Sequence, residues 1–293
     1  MKPTYLAFLC TVALGAGPAG CGDDGGGAPD AGSTADAIVD TDAPPGTCPV
    51  TPGAWSAPAF ATNAATALAL RGQLDTLVGN ATMRGAETET VVVDELADLT
   101  GPYEAGTPSL SDTVVTQIDA IMDDVFADFV ALVIAGPQDL VDANGDWTPG
   151  ANGGIYGTDA RGINTGGIEV RQIVDKGLFG GAVLYKYALE QTQGTITEAT
   201  VDAIAAAWGT DDTLNPDNKT DSANYSHRMG RHADIAQALT NARAYAADAE
   251  CTAERDAALV TVFRTWELAL IARTVFYANA ASTKLATATT DDE

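Results

Sequence analysis

The chain has 293 residues, of which 40 are acidic and 15 are basic, so its formal net charge is −25. Nucleic acids and anionic membrane surfaces are bound by basic patches, and a charge this negative argues against both as electrostatic partners. Aromatic residues make up only 6% of the chain. The length allows one large domain or two small ones.

The first twenty residues predict an export signal peptide. Lys2 supplies a positive charge, residues 5–14 form an apolar stretch, and small residues lead to Cys21. The segment GPAGC resembles a bacterial lipobox, in which the cysteine is lipidated and becomes the new N-terminus, although Pro18 stands where leucine is usual. Ordinary secretion and an uncleaved anchor are the alternatives. A lipid such as palmitate on Cys21 would anchor the protein to the cell envelope, either in the periplasm or facing outward from the outer membrane.

A tether and a single domain are predicted to follow the signal. Residues 21–47 are rich in Gly, Pro, Asp and Ala, which is typical of a disordered segment. The folded domain then spans 48–293. Its two cysteines, Cys48 and Cys251, predict one disulfide in an oxidising exported setting. It would tie the start of the domain to the start of the last helix; two unpaired thiols are the alternative.

Helical periodicity dominates the domain, with no internal repeat and no convincing run of alternating strands. Thr195 and Glu198 form a capping-box pattern ahead of one helix. The fold class predicted is all-α, an antiparallel helical bundle of six to eight helices. The predicted helices span 60–78, 91–99 (ambiguous with strand), 111–135, 167–192, 198–208, 222–249 and 253–284. Thr62 or Asn63 is the predicted cap of the first. Polar loops are predicted at 136–166 and 211–221.

Three glycines stand in the middle of the predicted helix 167–192: Gly177, Gly180 and Gly181. Each costs a helix about 1 kcal/mol relative to alanine. Gly177 and Gly181 are four residues apart and share a face of a regular helix, with Gly180 beside them. Because small residues let two backbones approach closely, we predict that a neighbouring helix packs tightly against this face.

The segment HRMGRH, residues 227–232, is the only basic cluster of this acidic chain. On one continuous helix its cations form two adjacent stripes of residues four apart. They predict an anion-binding patch for a carboxylate or a chelate, with ordinary salt bridges to acidic residues as the alternative. The four candidate side chains are His227, Arg228, Arg231 and His232.

Arg273 falls on the apolar stripe of the last predicted helix. A buried charge requires a partner. Asp175 or another acid would supply it in a structural ion pair; alternatively, Arg273 belongs to a ligand pocket.

The loop 136–166 contains a weak metal-binding pattern. Asp142, Asn144 and Asp146 place oxygen atoms at positions 1, 3 and 5 of a calcium-type loop. Trp147 stands where an EF-hand has glycine, so the pattern predicts either an irregular calcium site or an Asx-turn. No firm signal for a metal or an organic cofactor is present elsewhere.

Three segments carry a family resemblance. ATALALRGQLDTLV, GIEVRQIVDKGLFGGAVLYKYAL and RDAALVTVFRTWELALIARTVFYAN resemble, in this order, helices of an uncharacterised family of exported bacterial proteins. This is the domain of unknown function 4856 family, grouped with the imelysin-like superfamily. The resemblance covers most of 55–284 and implies an all-α bundle, an envelope location and an association with iron acquisition. Imelysins carry a G-x-H-x-x-E motif, but Ile235 replaces its glutamate here, so no catalytic residue is carried over.

These features predict a non-enzymatic, lipid-anchored binding or accessory protein of the cell envelope, of unknown ligand, linked to iron or nutrient uptake. Its partners would be the bacterial membrane, through the lipid, and a small molecule, a chelate or an envelope protein. The alternatives are a metal-dependent hydrolase of the imelysin peptidase type and a structural surface protein. No catalytic triad, P-loop or dinucleotide fingerprint is found in the sequence.

Overall fold

The computed structural model of the protein describes residues 48–79, 83–87, 107, 109–110, 154–156, 161–163 and 169–287. All of them belong to one compact unit, Pro45–Glu293. Several predictions lie outside the described residues: the signal peptide with Cys21, the tether, the helices 91–99 and 111–135, and the loop residues Asp142, Asn144 and Asp146.

The described part of the chain is mostly helical, which confirms the coarse prediction of helix. A short antiparallel pair of strands lies within the predicted loop 136–166. Three-residue 3₁₀ turns occur at Gln191–Gln193, Pro216–Asn218 and Ala249–Cys251. In chain order the elements are α1 (Phe60–Asn63), α2 (Ala65–Val78), α3 (Met83–Glu87), β1 (Gly154–Tyr156), β2 (Arg161–Ile163), α4 (Val170–Gln172), a π-helix (Ile173–Val183), α5 (Leu184–Glu190), α6 (Glu198–Trp208), α7 (Asp221–Arg228), α8 (His232–Ala246) and α9 (Thr252–Thr287).

The predicted helix 60–78 is divided at Ala64 into α1 and α2. Its leucines pack as the spacing predicts, because Leu70, Leu74 and Leu77 are at most 1% exposed. The predicted cap is wrong, since neither helix has a side-chain cap. Asn63 instead donates a hydrogen bond from Nδ2 to the Asp202 carboxylate over 2.7 Å.

Helix α6 lies at the centre of the core, and residues 201–208 are all buried. Its run of alanines lets α1, α2, α5 and α8 pack against it. The capping box that begins α6 joins Thr197 and Thr200, not Thr195 and Glu198 as predicted. Gly209 ends the helix with φ +112°, and a Cβ there would lie 2.3 Å from the Thr220 carbonyl oxygen, so glycine is required.

The predicted helix 222–249 is two helices, α7 and α8, separated by a turn at Gly230 with φ +69°. Helix α9 packs along both of them. The disulfide that the cysteine count predicts is present between Cys48 and Cys251, with a Cα–Cα distance of 4.7 Å. Among the described helices, none combines the length and apolar content needed to cross a membrane.

Candidate functional site

The glycine-rich segment is wound as a π-helix, not as the regular α-helix predicted. A Cβ at Gly180 would lie 2.7 Å from the Asp175 carbonyl oxygen, and one at Gly181 would lie 2.7 Å from that of Lys176. These carbonyls are five residues earlier, the hydrogen-bonding distance of a π-helix. The π-helix therefore needs small residues at Gly180 and Gly181 for its own winding, which the packing prediction missed.

A neighbouring helix does approach the π-helix at Gly180. Ser222 of α7 donates a hydrogen bond from Oγ to the Gly180 carbonyl oxygen over 2.7 Å. A Cβ at Gly180 would also lie 3.8 Å from Asp221 Oδ1. At Gly181 the nearby described atoms belong to the π-helix itself. The close packing predicted for the glycines is thus found at Gly180.

A chain of buried hydrogen bonds fixes α7 in this position. Trp208 Nε1 donates to Ser226 Oγ over 3.1 Å, and Ser226 Oγ donates to the Ser222 carbonyl oxygen over 2.8 Å. Together with the bond from Ser222 to Gly180, this connects α6, α7 and the π-helix. Each buried polar atom in this series of hydrogen bonds has a partner, so the series fixes α7 against α6 and the π-helix.

A cavity of about 390 Å³ lies where the π-helix, α7, α9 and the end of the Pro216–Asn218 turn meet. We call it the Arg273 pocket. Its volume lies within the range of small-molecule sites. It is lined by Asp175, Lys176, Lys219, Thr220, Asp221, Asn224, Tyr225, Arg228, Arg273 and Tyr277.

Arg273 is the most deeply placed cation of the pocket, at 8% exposure. Its Nη2 donates a hydrogen bond to the Tyr277 hydroxyl over 2.7 Å, while its Nε is buried without a hydrogen-bond partner. The guanidinium carbon lies 4.1 Å from the ring centroid of Tyr277 and 4.6 Å from that of Phe276. Aromatic faces therefore stabilise the charge, but they do not neutralise it.

The carboxylate partner predicted for Arg273 is absent from the described residues. Asp175 lines the same pocket, but its Oδ2 pairs with Lys176 Nζ over 3.2 Å. Asp221 pairs with Arg71 Nε over 3.1 Å. The ion-pair prediction is therefore wrong for Asp175, and Arg273 lines a cavity instead.

Two further cations of the pocket also have no ion pair within the described part of the chain: Lys219 and Arg228. The pocket thus combines three uncompensated positive charges in a protein whose net charge is −25. Two acidic side chains line it as well, and each is engaged by a cation outside this group of three. An anionic group entering the pocket would be attracted by the excess positive charge.

The structure does not bring the whole HRMGRH cluster to one pocket. Of its four predicted ligand-binding residues only Arg228 lines the pocket. His227 is exposed at the end of α7, and exposed Arg231 pairs with Asp234 over 3.3 Å. The continuous helix assumed for this cluster is wrong, because the turn at Gly230 separates the end of α7 from the start of α8.

His232, the fourth member, is buried at the start of α8. Its ring centroid lies 4.7 Å from that of Trp208 and 6.1 Å from that of His227. Burial, reinforced by the charges of His227 and Lys219, lowers the pKa of His232. The side chain therefore packs in the core as a neutral ring and does not reach the Arg273 pocket.

Sequence reasoning missed the aromatic and lysine members of the pocket. Tyr277 is four residues after Arg273, and Tyr225 is three residues before Arg228, so helical spacing could have placed each tyrosine beside its arginine. Burial first, and then the charge of Asp175, raises the pKa of Tyr225. Its phenol is therefore a neutral hydrogen-bonding group.

A larger cavity, of about 650 Å³, lies beside α1 and α8. Its charged lining is fully paired: Arg243 binds Glu198 over 2.6 Å and the buried Asp202 over 2.8 Å. The guanidinium also lies 5.6 Å from the Trp55 ring centroid. Since both charged residues that line this cavity are paired, it has no uncompensated charge for a ligand to neutralise, unlike the Arg273 pocket.

Metal ligands are not assembled within the described residues, where no group of three or more His, Cys, Asp or Glu side chains could hold an ion. Comparisons of the chain with protein-family models, with curated proteins and with solved structures found no match.

Proposed function

We propose that this protein is a non-enzymatic, lipid-anchored binding protein of the bacterial cell envelope that holds a small anionic ligand in the Arg273 pocket. The observation that carries the proposal is the buried Arg273 guanidinium, which has an unpartnered Nε and no carboxylate among the described residues. A buried charge without a counter-ion costs several kcal/mol. A ligand carboxylate would neutralise it through charge-assisted hydrogen bonds, which Arg forms in planar, paired geometry.

The other two uncompensated cations extend the same argument. Arg228 and Lys219 lie closer to solvent than Arg273, on α7 and just before it. They would attract an anion to the pocket entrance, whereas the rest of this acidic surface repels it. This arrangement suits a small carboxylate or a chelate as ligand.

Titration calorimetry with acetate, succinate, citrate and phosphate at low ionic strength tests the binding proposal. We expect at least one of these anions to bind, and Arg273→Met to weaken that binding about tenfold or more. Met is the suitable replacement because it keeps the apolar stem of the side chain and removes the buried charge. Arg231→Met removes an exposed arginine outside the pocket and should leave affinity unchanged. Equal binding by both variants, or no binding at all, would refute the proposal.

The envelope role rests on the signal peptide, Cys21 and the tether. Mass spectrometry of the mature N-terminus should find a lipid on Cys21, and Cys21→Ser should move the protein from the membrane fraction to the soluble fraction. An unmodified N-terminus contradicts anchoring.

For a role in iron uptake, which the imelysin-like resemblance implies, transcript levels should rise under iron starvation; an unchanged level counts against it.

An antiparallel, imelysin-like bundle is the architecture we propose for the whole domain. The three-residue turn Ala249–Cys251 between α8 and α9, and the long contact of those helices, support it, because short connections join antiparallel neighbours. An experimental structure of residues 48–293 tests it; helices that cross at steep angles would contradict the bundle.

A further inference from the structure

We propose that the ligand of the Arg273 pocket is a zwitterion, a small molecule with an ammonium group as well as a carboxylate, such as an amino acid or a short peptide. This inference rests on the proposed binding function and specifies its ligand class. Its basis is that the pocket contains hydrogen-bond acceptors without donors as well as cations without anions.

The acceptors are one oxygen on each of the two acidic side chains. Asp221 Oδ2 accepts from Arg71 Nε over 3.1 Å and from Thr220 Oγ1 over 2.9 Å. Asp175 Oδ2 accepts from Lys176 Nζ over 3.2 Å. Neither Oδ1 atom accepts a hydrogen bond from the described residues. Each carboxylate therefore retains capacity for a donor that the ligand would supply.

Tyr225 lines the pocket together with both kinds of charge. Its ring centroid is 5.8 Å from the Arg273 guanidinium carbon. The charges of Asp175 and Asp221 help to raise the pKa of its phenol, whereas the Arg273 charge opposes them. The positive and the negative side of the pocket are thus both close to one side chain. The cavity of about 390 Å³ is near the lower end of small-molecule sites, which suits a compact ligand.

Ligand charge distinguishes the classes of molecule that could fit. A compact polyanion such as phosphate would gain from the three cations but would also approach two carboxylates, which repel it. A simple monocarboxylate brings no donor for the two Oδ1 atoms, which would then have only solvent as a partner. A zwitterion satisfies both sides, since its carboxylate would bind Arg273 and its ammonium would bind Asp175 or Asp221.

The test compares two matched series by titration calorimetry at low ionic strength: the ω-amino acids from glycine to 6-aminohexanoate, and the unsubstituted acids from acetate to hexanoate. Lengthening the amino acid increases the distance between its ammonium and its carboxylate, and the matched acid of the same length lacks only the ammonium. We expect that at one chain length the amino acid binds about tenfold tighter than its matched acid. Either Asp175→Asn or Asp221→Asn should remove most of this preference without weakening the matched acid. Asp234→Asn, which alters an exposed carboxylate outside the pocket, should preserve it.

The outcomes separate this inference from the proposed function. If the unsubstituted acid binds as tightly as the amino acid at every length, the zwitterion proposal is overturned while anion binding stands. If neither series binds, the zwitterion proposal is overturned, and the proposed function falls with it unless succinate, citrate or phosphate binds. Retention of the preference in Asp175→Asn and in Asp221→Asn, with each variant folded by circular dichroism, would also overturn the zwitterion proposal, because the ammonium would then have no assigned partner.

Discussion

Ser222 and Gly180 are joined by a buried hydrogen bond, from the serine Oγ to the glycine carbonyl oxygen over 2.7 Å. The bond attaches α7 to the π-helix at the position where a glycine brings the two backbones together. Asp221 and Tyr225 project from this α7 into the Arg273 pocket, and Asp175 projects from the π-helix. The glycine segment is thus an architectural feature that sets the spacing of a candidate binding site.

Substitution of Gly180 tests this attachment. Gly180→Ala places a Cβ 2.7 Å from the Asp175 carbonyl oxygen, so the π-helix must shift. We expect a loss of about 1–3 kcal/mol in the free energy of unfolding, measured by urea denaturation. Gly72→Ala is the control, because Gly72 is on the exposed face of α2 with open space around it, and it should gain about 0.5–1 kcal/mol. Similar effects of both substitutions would contradict the close approach at Gly180.

The ion pair between Arg243 and Asp202 predicts a second stability difference. Asp202 is 0% exposed, and Arg243 Nε binds it over 2.8 Å. Arg243→Met would leave the carboxylate without its counter-ion, and we expect a loss of about 3–5 kcal/mol by thermal or urea unfolding. The matched control is Arg231→Met, whose ion pair with Asp234 is exposed, and it should change stability by less than about 0.5 kcal/mol. Equal losses would contradict a stabilising ion pair between Arg243 and Asp202.

The disulfide predicts that stability depends on redox conditions. Cys48 and Cys251 are 203 residues apart, and the chain-entropy model assigns about 5 kcal/mol to closing a loop of this length. We expect the double variant Cys48→Ala with Cys251→Ala to unfold at a much lower temperature than the oxidised protein, and reductant to lower the wild-type midpoint similarly. The control is the double variant itself, which reductant should not affect. Labelling of Cys48 and Cys251 by a thiol reagent in the unfolded, unreduced protein, located by peptide mass mapping, would contradict the disulfide.

His232 predicts a pH dependence. Its pKa is lowered in the folded state, so the unfolded chain binds a proton more readily. The stability contributed by the neutral ring is therefore fully present above the unfolded-state pKa of about 6.5. It is lost as the pH falls from there toward the lower pKa of the folded state. Unfolding measured from about pH 7.5 to about pH 5.5 should show a decreasing free energy.

His232→Phe separates this effect from other titrations, because Phe keeps the packing against Trp208 and cannot be protonated. Its unfolding free energy should vary less over the same pH range than that of wild type. His227→Gln removes the exposed histidine instead and should retain most of the dependence. The same slope in wild type and His232→Phe would show that His232 does not titrate differently on folding.

Local patterns predicted much of the fold. The leucine spacing in 60–78 and the apolar stripe of 253–284 placed α2 and α9 with small boundary errors, because helical periodicity is a property of short segments. The pairing of Cys48 with Cys251 followed from counting. Two of the errors concern single residues. Gly230, with its positive φ, divides α7 from α8, and the cap of α6 is Thr197 and not the predicted Thr195.

The candidate site could be predicted only in part. Arg228 and Arg273 were identified as unusual cations from composition and from position on an apolar stripe. That the two share one pocket, while His227, Arg231 and His232 do not line it, depends on the turn at Gly230 and on how α7 packs against α9. Lys219 carries no local signal that distinguishes it from other surface residues, whereas the helical spacing of Tyr225 from Arg228 is a local signal that could have been used.

The sequence by itself determined that the domain is mostly helical, that its two cysteines can pair, and that its few cations are exceptional, because periodicity, count and charge are local or additive properties. The tertiary structure alone decided which of those cations lack a partner. That outcome depends on contacts between segments far apart in the chain, among them the hydrogen bond from Ser222 to Gly180 that holds α7 beside the π-helix.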